Sequence, residues 1–442
     1  MGPSPDTKIH HRSYWLDGVR DVPATGGELP RRTDVLVIGS GYTGLNAARI
    51  TAAGGRDTLV LDAGDPGFGC STRNGGQVST SIKPSLARLT ARRGAETARA
   101  IRQTGVDALD WLGDLVESAG LDCDFRRCGR FHAAHTPAHY DALTRDAETM
   151  RREEGIESFA VPRAEQWSEL GTDTYFGGVV YPRHCSVDPA RLHLGLLRLT
   201  LDAGARVIGQ TRVTAIERGA DGFTVTTARG KVRARDVVVA TNGYTDGLVP
   251  WMQRRVIPIG SYIIVTEELP AELVDRLFPT DRVASDTCKV IYYYRATPDR
   301  RRILFGGRVT TGETDTGVSA PRLYEAMCRI FPDLRGYGIS HSWSGTVAYT
   351  FDELAHAGVH DGIHYAMGYC GSGVSMAGYL GMRTGQKVLG LAEGRTALDD
   401  LPKPTRPFYT GRPWFLPAAV GYYRWLDDRQ CRAAAAAVAT GA

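Results

Sequence analysis

Six consecutive residues, Gly39-Ser40-Gly41-Tyr42-Thr43-Gly44, constrain this chain more tightly than any other segment. They match G-x-G-x-x-G and follow an apolar run, Asp34-Val35-Leu36-Val37-Ile38. Residues from Tyr42 to Ala53 are small or helix-forming and stop at Gly54-Gly55, before a second apolar run, Thr58-Leu59-Val60-Leu61-Asp62. Strand, helix and strand within roughly thirty residues predict a parallel βαβ unit, and in that setting the glycines acquire a physical meaning. Gly39 allows the tight turn, Gly41 lets a pyrophosphate approach the backbone, and Gly44 lets the helix pack closely. The helix N-terminus, at Tyr42 and Thr43, favours an anion through its N–H groups and dipole. Asp62 stands at about the 20-residue offset where an acid accepts hydrogen bonds from a ribose, followed by Ala63. A dinucleotide is expected, and this motif alone does not separate FAD from NAD.

Two further glycine segments need the same ligand. Gly67-Phe68-Gly69-Cys70-Ser71-Thr72-Arg73-Asn74-Gly75-Gly76-Gln77 offers hydroxyls, amides and bare backbone that can wrap a pyrophosphate and pass beneath a ring system. Tyr365-Ala366-Met367-Gly368-Tyr369-Cys370-Gly371-Ser372-Gly373-Val374 reads as an apolar strand, a turn and the start of a helix from about Val374 to Ala392. That second helix N-terminus suits the electron-rich pyrimidine end of a reduced flavin. A nicotinamide-linked dehydrogenase would leave the third segment without a purpose.

The rest of the chain reads as two lobes, as 442 residues at 42% hydrophobic composition allow. Residues 85–155 predict two or more helices. Asp188-Pro189 caps a helix ending near Ala203 with Gly204 behind it. Arg212 to Ala234 alternates and reads as an antiparallel meander leading into Val237-Val238-Val239-Ala240. Residues 255–310, with Tyr262-Ile263-Ile264-Val265, Val290-Ile291-Tyr292-Tyr293-Tyr294 and Arg302-Ile303-Leu304-Phe305, predict a second, antiparallel sheet. The alanine-rich tract Ala433 to Ala442 is expected to be a frayed helix or disordered.

The net charge of +4, from 53 basic and 49 acidic side chains, does not point to nucleic acid or a membrane. The eight cysteines are scattered without a C-x-x-C pair, and no apolar run is long enough to span a bilayer, so a reduced, cytoplasmic location is expected. The histidines His132, His135, His341, His356 and His364 show no ligand spacing, and no metal is expected. The sequence leaves the oligomeric state open.

The three glycine segments, Asp62 and Ala240-Thr241-Asn242-Gly243 fall in the order found in the D-amino acid oxidase superfamily, which the chain resembles. Gly67 to Gln77, Phe305-Gly306-Gly307-Arg308, Ser261 to Glu267 and Tyr293 to Asp299 most resemble the gamma-glutamylputrescine oxidase branch, near the sarcosine and glycine oxidases. The resemblance spans about Ser13 to Asp428 and implies an α/β fold. A Rossmann-like FAD lobe (30–86, 186–250 and 345–400) would pair with a substrate lobe of antiparallel sheet and helices (87–185 and 251–344), with 401–442 as a C-terminal segment. It implies FAD as cofactor, an amine or amino-acid substrate and O2 as acceptor. Gly39, Ser40, Gly41, Tyr42, Thr43 and Gly44 would contact the pyrophosphate, Asp62 and Ala63 the ribose side, and Val213 the adenine. Ser71, Thr72, Arg73, Asn74, Gly75, Gly76 and Gln77 would follow the pyrophosphate and isoalloxazine; Thr241 and Gly243 close the strand end, and Gly371, Ser372, Gly373 and Val374 cover the pyrimidine. The cysteine that anchors FAD in some relatives precedes a Tyr-Thr pair; here Val347-Ala348 precede Tyr349-Thr350, which implies non-covalent FAD. The lysine that speeds oxygen reaction in sarcosine oxidases falls where Leu304 stands, and a second basic position is Ser375.

For catalysis, oxidation of a neutral amine by a flavin needs positioning more than a strong base. Gln77, Lys289, Tyr292 and Arg295 are the candidates, Arg295 as a bidentate carboxylate ligand. Only six basic residues are lysines, and Lys289 is the one expected beside the flavin.

Overall fold

The computed structural model describes residues 9–23, 25–80, 82–307 and 315–439; Arg308, part of one motif above, and the chain's last three residues lie outside them. Two eight-stranded sheets carry the fold. In the first, the parallel strands Arg206–Ile208, Thr58–Leu61, Arg32–Ile38, Gly230–Val239 and Ile363–Met367 lie in that spatial order. His356–His360 adds an antiparallel edge. Their fully buried runs, such as Val35, Leu36 and Val37 or Val237 and Val238, explain the lack of alternation in sequence: both faces are covered. The expected meander is present as Val213–Gly219, Gly222–Thr227 and Gly230–Val239.

Helices Tyr42–Ala53, Pro189–Asp202 and Gly373–Val388 pack together against this sheet. Asp188 caps the second as its sequence predicts, its Oδ1 accepting from the N–H groups of Ala190 (2.9 Å) and Arg191 (3.0 Å). The first and third approach closely because Gly381 and Gly385 face them: a Cβ at Gly381 would lie 2.3 Å from the Thr43 carbonyl oxygen, and one at Gly385 2.8 Å from that of Ala47.

The second sheet orders Ile339–Tyr349, Ile257–Thr266, Ile303–Gly307, Tyr292–Ala296, Val283–Asp286, Arg130–Ala133, Gly178–Tyr181 and Phe159–Val161. It is antiparallel apart from one parallel pair, Arg130–Ala133 with Val283–Asp286. Residues 85–155 do form helices, Leu86–Arg93, Ala95–Ser118 and Pro137–Glu154, but the strand Arg130–Ala133 lies between the last two. An aromatic core of Tyr175, Tyr262, Phe278, Tyr294, Phe305 and Phe331 backs this sheet. The C-terminal tract is helical from Leu416 to Ala439. Among the described residues no helix is long and apolar enough to cross a membrane.

Candidate active site

The two sheets meet around a cavity of about 730 Å³, within the range of small-molecule and cofactor sites. Its first wall is the G-x-G-x-x-G turn. Gly39 holds φ at +102°, and its N–H donates to the Leu61 carbonyl at 2.8 Å, so the turn is pinned to the neighbouring strand. Gly44 admits no side chain, since a Cβ there would lie 1.8 Å from the Gly39 oxygen. At Gly41 a Cβ would lie 2.9 Å from Ser71 Oγ, which itself accepts from the Tyr42 N–H at 3.1 Å. The turn and the second glycine loop therefore touch at the point where the sequence calls for open backbone. Asp62 Oδ2 accepts from the Ser40 N–H (2.7 Å) and hydroxyl (2.6 Å), and Oδ1 from the Gly64 N–H (3.0 Å). The carboxylate is thus held rigidly on the cavity wall, with lone pairs left for a ligand.

The second glycine loop is fixed by its carbonyls. Ser13 Oγ donates to Thr72 (2.9 Å), Trp343 Nε1 to Arg73 (2.8 Å), Trp15 Nε1 to Asn74 (2.9 Å) and Arg295 to Gly76 (3.3 Å). Asn74 closes the loop on itself, donating to the Cys70 carbonyl at 3.0 Å and accepting from the Gly76 N–H at 2.9 Å. With these acceptors occupied from behind, the loop presents Ser71, Arg73, Asn74, Gly75 and Gln77 to the cavity. Gly76, at φ +67°, has the Val187 carbonyl 2.2 Å from where a Cβ would stand. Gly371, Ser372, Gly373 and Val374, at the N-terminus of their helix, form the facing wall, and Ala63, Val213 and Thr241 line the far end. Ser40, Gly44, Thr72, Gly76 and Gly243 stand behind the wall and shape it. Gly243 does so by close approach, a Cβ there falling 2.4 Å from the Thr346 oxygen.

Three of the four expected catalytic residues are placed elsewhere. Lys289 is exposed, its backbone N–H bound to Asp427 Oδ1 at 3.0 Å, and it does not reach the cavity wall. Arg295 is buried with its guanidinium on the carbonyls of Gly76, Val187 (3.1 Å) and Ala296 (3.1 Å), over the Trp15 ring; its role is to hold the glycine loop from behind. Tyr292 lies on the opposite face of its strand from the cavity, against Phe305. Tyr293, its neighbour on the other face of the strand, is the residue that lines the cavity. Its ring fits because Gly306, directly opposite in the sheet, and Gly75 have no side chains; a Cβ at Gly306 would lie 2.3 Å from the ring. Its hydroxyl meets Ser261 Oγ at 3.0 Å. Gln77 does line the cavity and donates through Nε2 to the carbonyls of Ala284 (3.1 Å) and Tyr294 (3.4 Å).

Residues the sequence did not single out complete the site. Lys83, rather than Lys289, is the lysine on the wall, together with Ser79 and Arg130. Arg130 donates from Nε to Ser285 Oγ at 3.1 Å, and its terminal nitrogen bonds the same hydroxyl. Among the described residues no carboxylate pairs with it, and burial lowers its pKa without making it neutral. The neighbouring His132 shares the Ser285 hydroxyl (2.9 Å) and is pushed down to about 3 by burial and by Arg130, so it stays neutral. The cavity wall therefore carries a half-buried guanidinium with no carboxylate partner among the described residues.

The family profile described as DAO, FAD dependent oxidoreductase, matches residues 34–386. Gamma-glutamylputrescine oxidoreductase of Escherichia coli (strain K12) is 31% identical over 404 residues, 89% of this chain and 92% of that protein. Glycine oxidase of Bacillus licheniformis is 22% identical, covering 81% and 94%. Among solved structures, glycine oxidase from Geobacillus kaustophilus superposes with a TM-score of 0.72 at 20% identity, covering 86% of this chain and 99% of that one. L-proline dehydrogenase from P. horikoshii gives 0.68 at 18%. The open turn at Gly41, the anchored Asp62, the glycine loop and the second helix N-terminus fit FAD as the cofactor. The chain belongs to the DAO family of FAD-dependent oxidoreductases.

Proposed function

We propose that the enzyme oxidises the C–N bond of an amine that also carries a carboxylate. The observation behind the carboxylate is Arg130: a half-buried guanidinium on the cavity wall whose partner is a neutral hydroxyl. Taking such a charge partly out of water is costly unless something negative joins it, and a substrate carboxylate accepts two of its N–H bonds in plane. The support for the amine comes from relatives named gamma-glutamylputrescine oxidoreductase, glycine oxidase and 4-methylaminobutanoate oxidase (formaldehyde-forming), the last of Paenarthrobacter nicotinovorans at 26% identity over 225 residues. FAD, when bound, would supply the hydride acceptor, with O2 as the final acceptor reduced to H2O2.

This chain's own residues do the positioning. Gln77, whose amide N–H groups are committed to backbone carbonyls, keeps Oε1 as an acceptor for the substrate amine. Tyr293 and Ile291 wall the reacting carbon, and Arg130 sets its distance from the far end. Water then hydrolyses the product imine to a carbonyl compound and a smaller amine. The FAD lobe comprises 30–86, 186–250 and 345–400, with the substrate lobe between, and the cofactor is held without a covalent bond, Val347 and Ala348 standing on the wall where some relatives have cysteine.

Anaerobic mixing of the purified yellow protein with polyamine derivatives, N-methyl amino acids and amino acids tests this. Bleaching of the visible flavin band by a carboxylate-bearing amine, with recovery and peroxide on admitting air, is expected. Bleaching only by amines without an acidic group would overturn the carboxylate. Recovery only with an artificial acceptor would make the enzyme a dehydrogenase.

A further inference from the structure

At one end of the second sheet, four polar side chains converge from three distant parts of the chain. His135 and Cys288 lie on the loops that follow Arg130–Ala133 and Val283–Asp286. Those strands run parallel and adjacent, so both loops leave the same end of the sheet. The C-terminal helix Leu416–Ala439 lies against that end and brings Asp427 and Cys431, one turn apart and hence on one face. Potential ligand atoms of His135, Cys288 and Asp427 all lie within 4.8 Å of one another. The Cys288 and Cys431 thiols hydrogen-bond each other. Among the described residues His135, Cys288 and Asp427 are the one group of His, Cys and acidic side chains with metal-ligand spacing; Cys431 stands just outside it, joined through the Cys288 thiol.

We propose that His135, Cys288, Asp427 and Cys431 form a structural zinc site that staples the C-terminal helix to the substrate sheet.

The donor set selects the ion. Two sulfurs, one imidazole and one carboxylate suit tetrahedral Zn²⁺, whereas Mg²⁺ and Ca²⁺ require oxygen ligands. Asp286 is buried beside the group, its Oδ1 accepting from the Cys288 N–H at 3.3 Å. The outer contacts are those a metal site needs: Thr287 Oγ1 lies 2.7 Å from His135 Nδ1 and fixes the ring, leaving Nε2, 3.1 Å from Gln430 on the helix, to the ion. Asp427 accepts the N–H groups of Lys289 (3.0 Å) and Val290 (2.9 Å), which aims its remaining lone pairs. Binding is a proton exchange: two S–H bonds break, two zinc–sulfur bonds form, and two protons pass to solvent. No oxidant is required. Ile291, three residues from Cys288, lines the flavin cavity, so the staple also steadies one wall of the site.

The test uses the full-length, tag-free, flavin-loaded protein, equilibrated with zinc and passed over a chelating resin. Mass spectrometry of the metal should find about one zinc per chain, and Cys431→Ser and Cys288→Ser should each lose at least about tenfold of it, with flavin content unchanged as the measure of folding. Cobalt in place of zinc should add thiolate-to-metal absorption in the wild type that Cys431→Ser lacks, a reading independent of whether the Cys288 variant folds. Wild-type protein that holds no zinc with both thiols titratable, or that contains a Cys288–Cys431 disulfide instead, overturns the proposal.

Discussion

Gly41 shows how a single missing side chain can decide whether a cofactor binds. A Cβ there would stand 2.9 Å from Ser71 Oγ, on the cavity wall. Gly41→Val should therefore yield protein with little or no flavin; absorbance per chain after purification in excess FAD measures it, and a stable yellow variant would contradict the placement of the pyrophosphate. Arg130 acts at the other end. Arg130→Met removes a charge-assisted pair, and KM for a carboxylate-bearing substrate should rise about 10- to 100-fold while flavin content stays constant; an unchanged KM would return the carboxylate to another residue. Asp188 tests the electrostatics behind the glycine loop. Burial raises its carboxyl to about 6 against an ordinary 3.8, despite two N–H donors. The folded state thus binds this proton more tightly than the unfolded chain, so its stabilising share is complete below about pH 4 and lost as pH rises through about 6. Asp188→Asn keeps the cap and removes that loss, worth up to about 3 kcal/mol. Melting temperatures of both proteins should differ little at pH 4 and separate in the variant's favour by pH 7.

Among elements, the crossing of helices Tyr42–Ala53 and Gly373–Val388 has the least slack. The Thr43 carbonyl lies 2.3 Å from a Cβ at Gly381, and Thr43 Oγ1 meets the Tyr369 hydroxyl at 2.6 Å. Gly381→Ala must push the two helices apart, at a cost of about 1–3 kcal/mol. Because both helices point their N-termini at the cavity, the same shift should weaken FAD binding. A lower melting temperature with unchanged FAD affinity would show that the seam is structural only. The strand Tyr292–Ala296 makes a complementary point. Period-two alternation separates Tyr293 from Tyr292 and Tyr294, but the choice of face lies in its neighbour: Gly306 across the ladder leaves the space the Tyr293 ring fills. Aromatic residue and opposing glycine, taken together, were the available signal.

At the scale of the molecule, separate apolar cores back the two sheets, and the cavity takes walls from both: Gly39 to Gln77 and Gly371 to Val374 from one, Ser261, Ile263, Ile291 and Tyr293 from the other. A ligand filling that space binds only the assembled pair, so excess FAD should stabilise the fold by about 2.7 kcal/mol at 100 times its dissociation constant and raise the melting temperature accordingly. Apo-protein should melt earlier and lose the contact between lobes first, visible as a second transition in calorimetry. A single transition at the same temperature with and without FAD would mean that the cofactor contributes nothing to holding the lobes together.

Where chemistry depends on near neighbours in the chain, the sequence alone determined it. The strand–turn–helix around Gly39, the cap at Asp188, the meander before Val237 and the order of glycine segments all follow from residues a few positions apart, whose backbone limits act locally. Family and cofactor came with them. The substrate side was decided by tertiary structure. Arg130 meets Ser285 across 155 positions and Gln77 meets Ala284 across 207, and His135, Cys288 and Asp427 converge with no spacing to announce them. Lys289, Tyr292 and Arg295 were expected there from residue type, but the pleat and burial turned them to solvent, to the core and to the back of a loop. A side chain's type sets what it can bind; the packing of distant strands sets what it faces, because only the closed fold fixes direction.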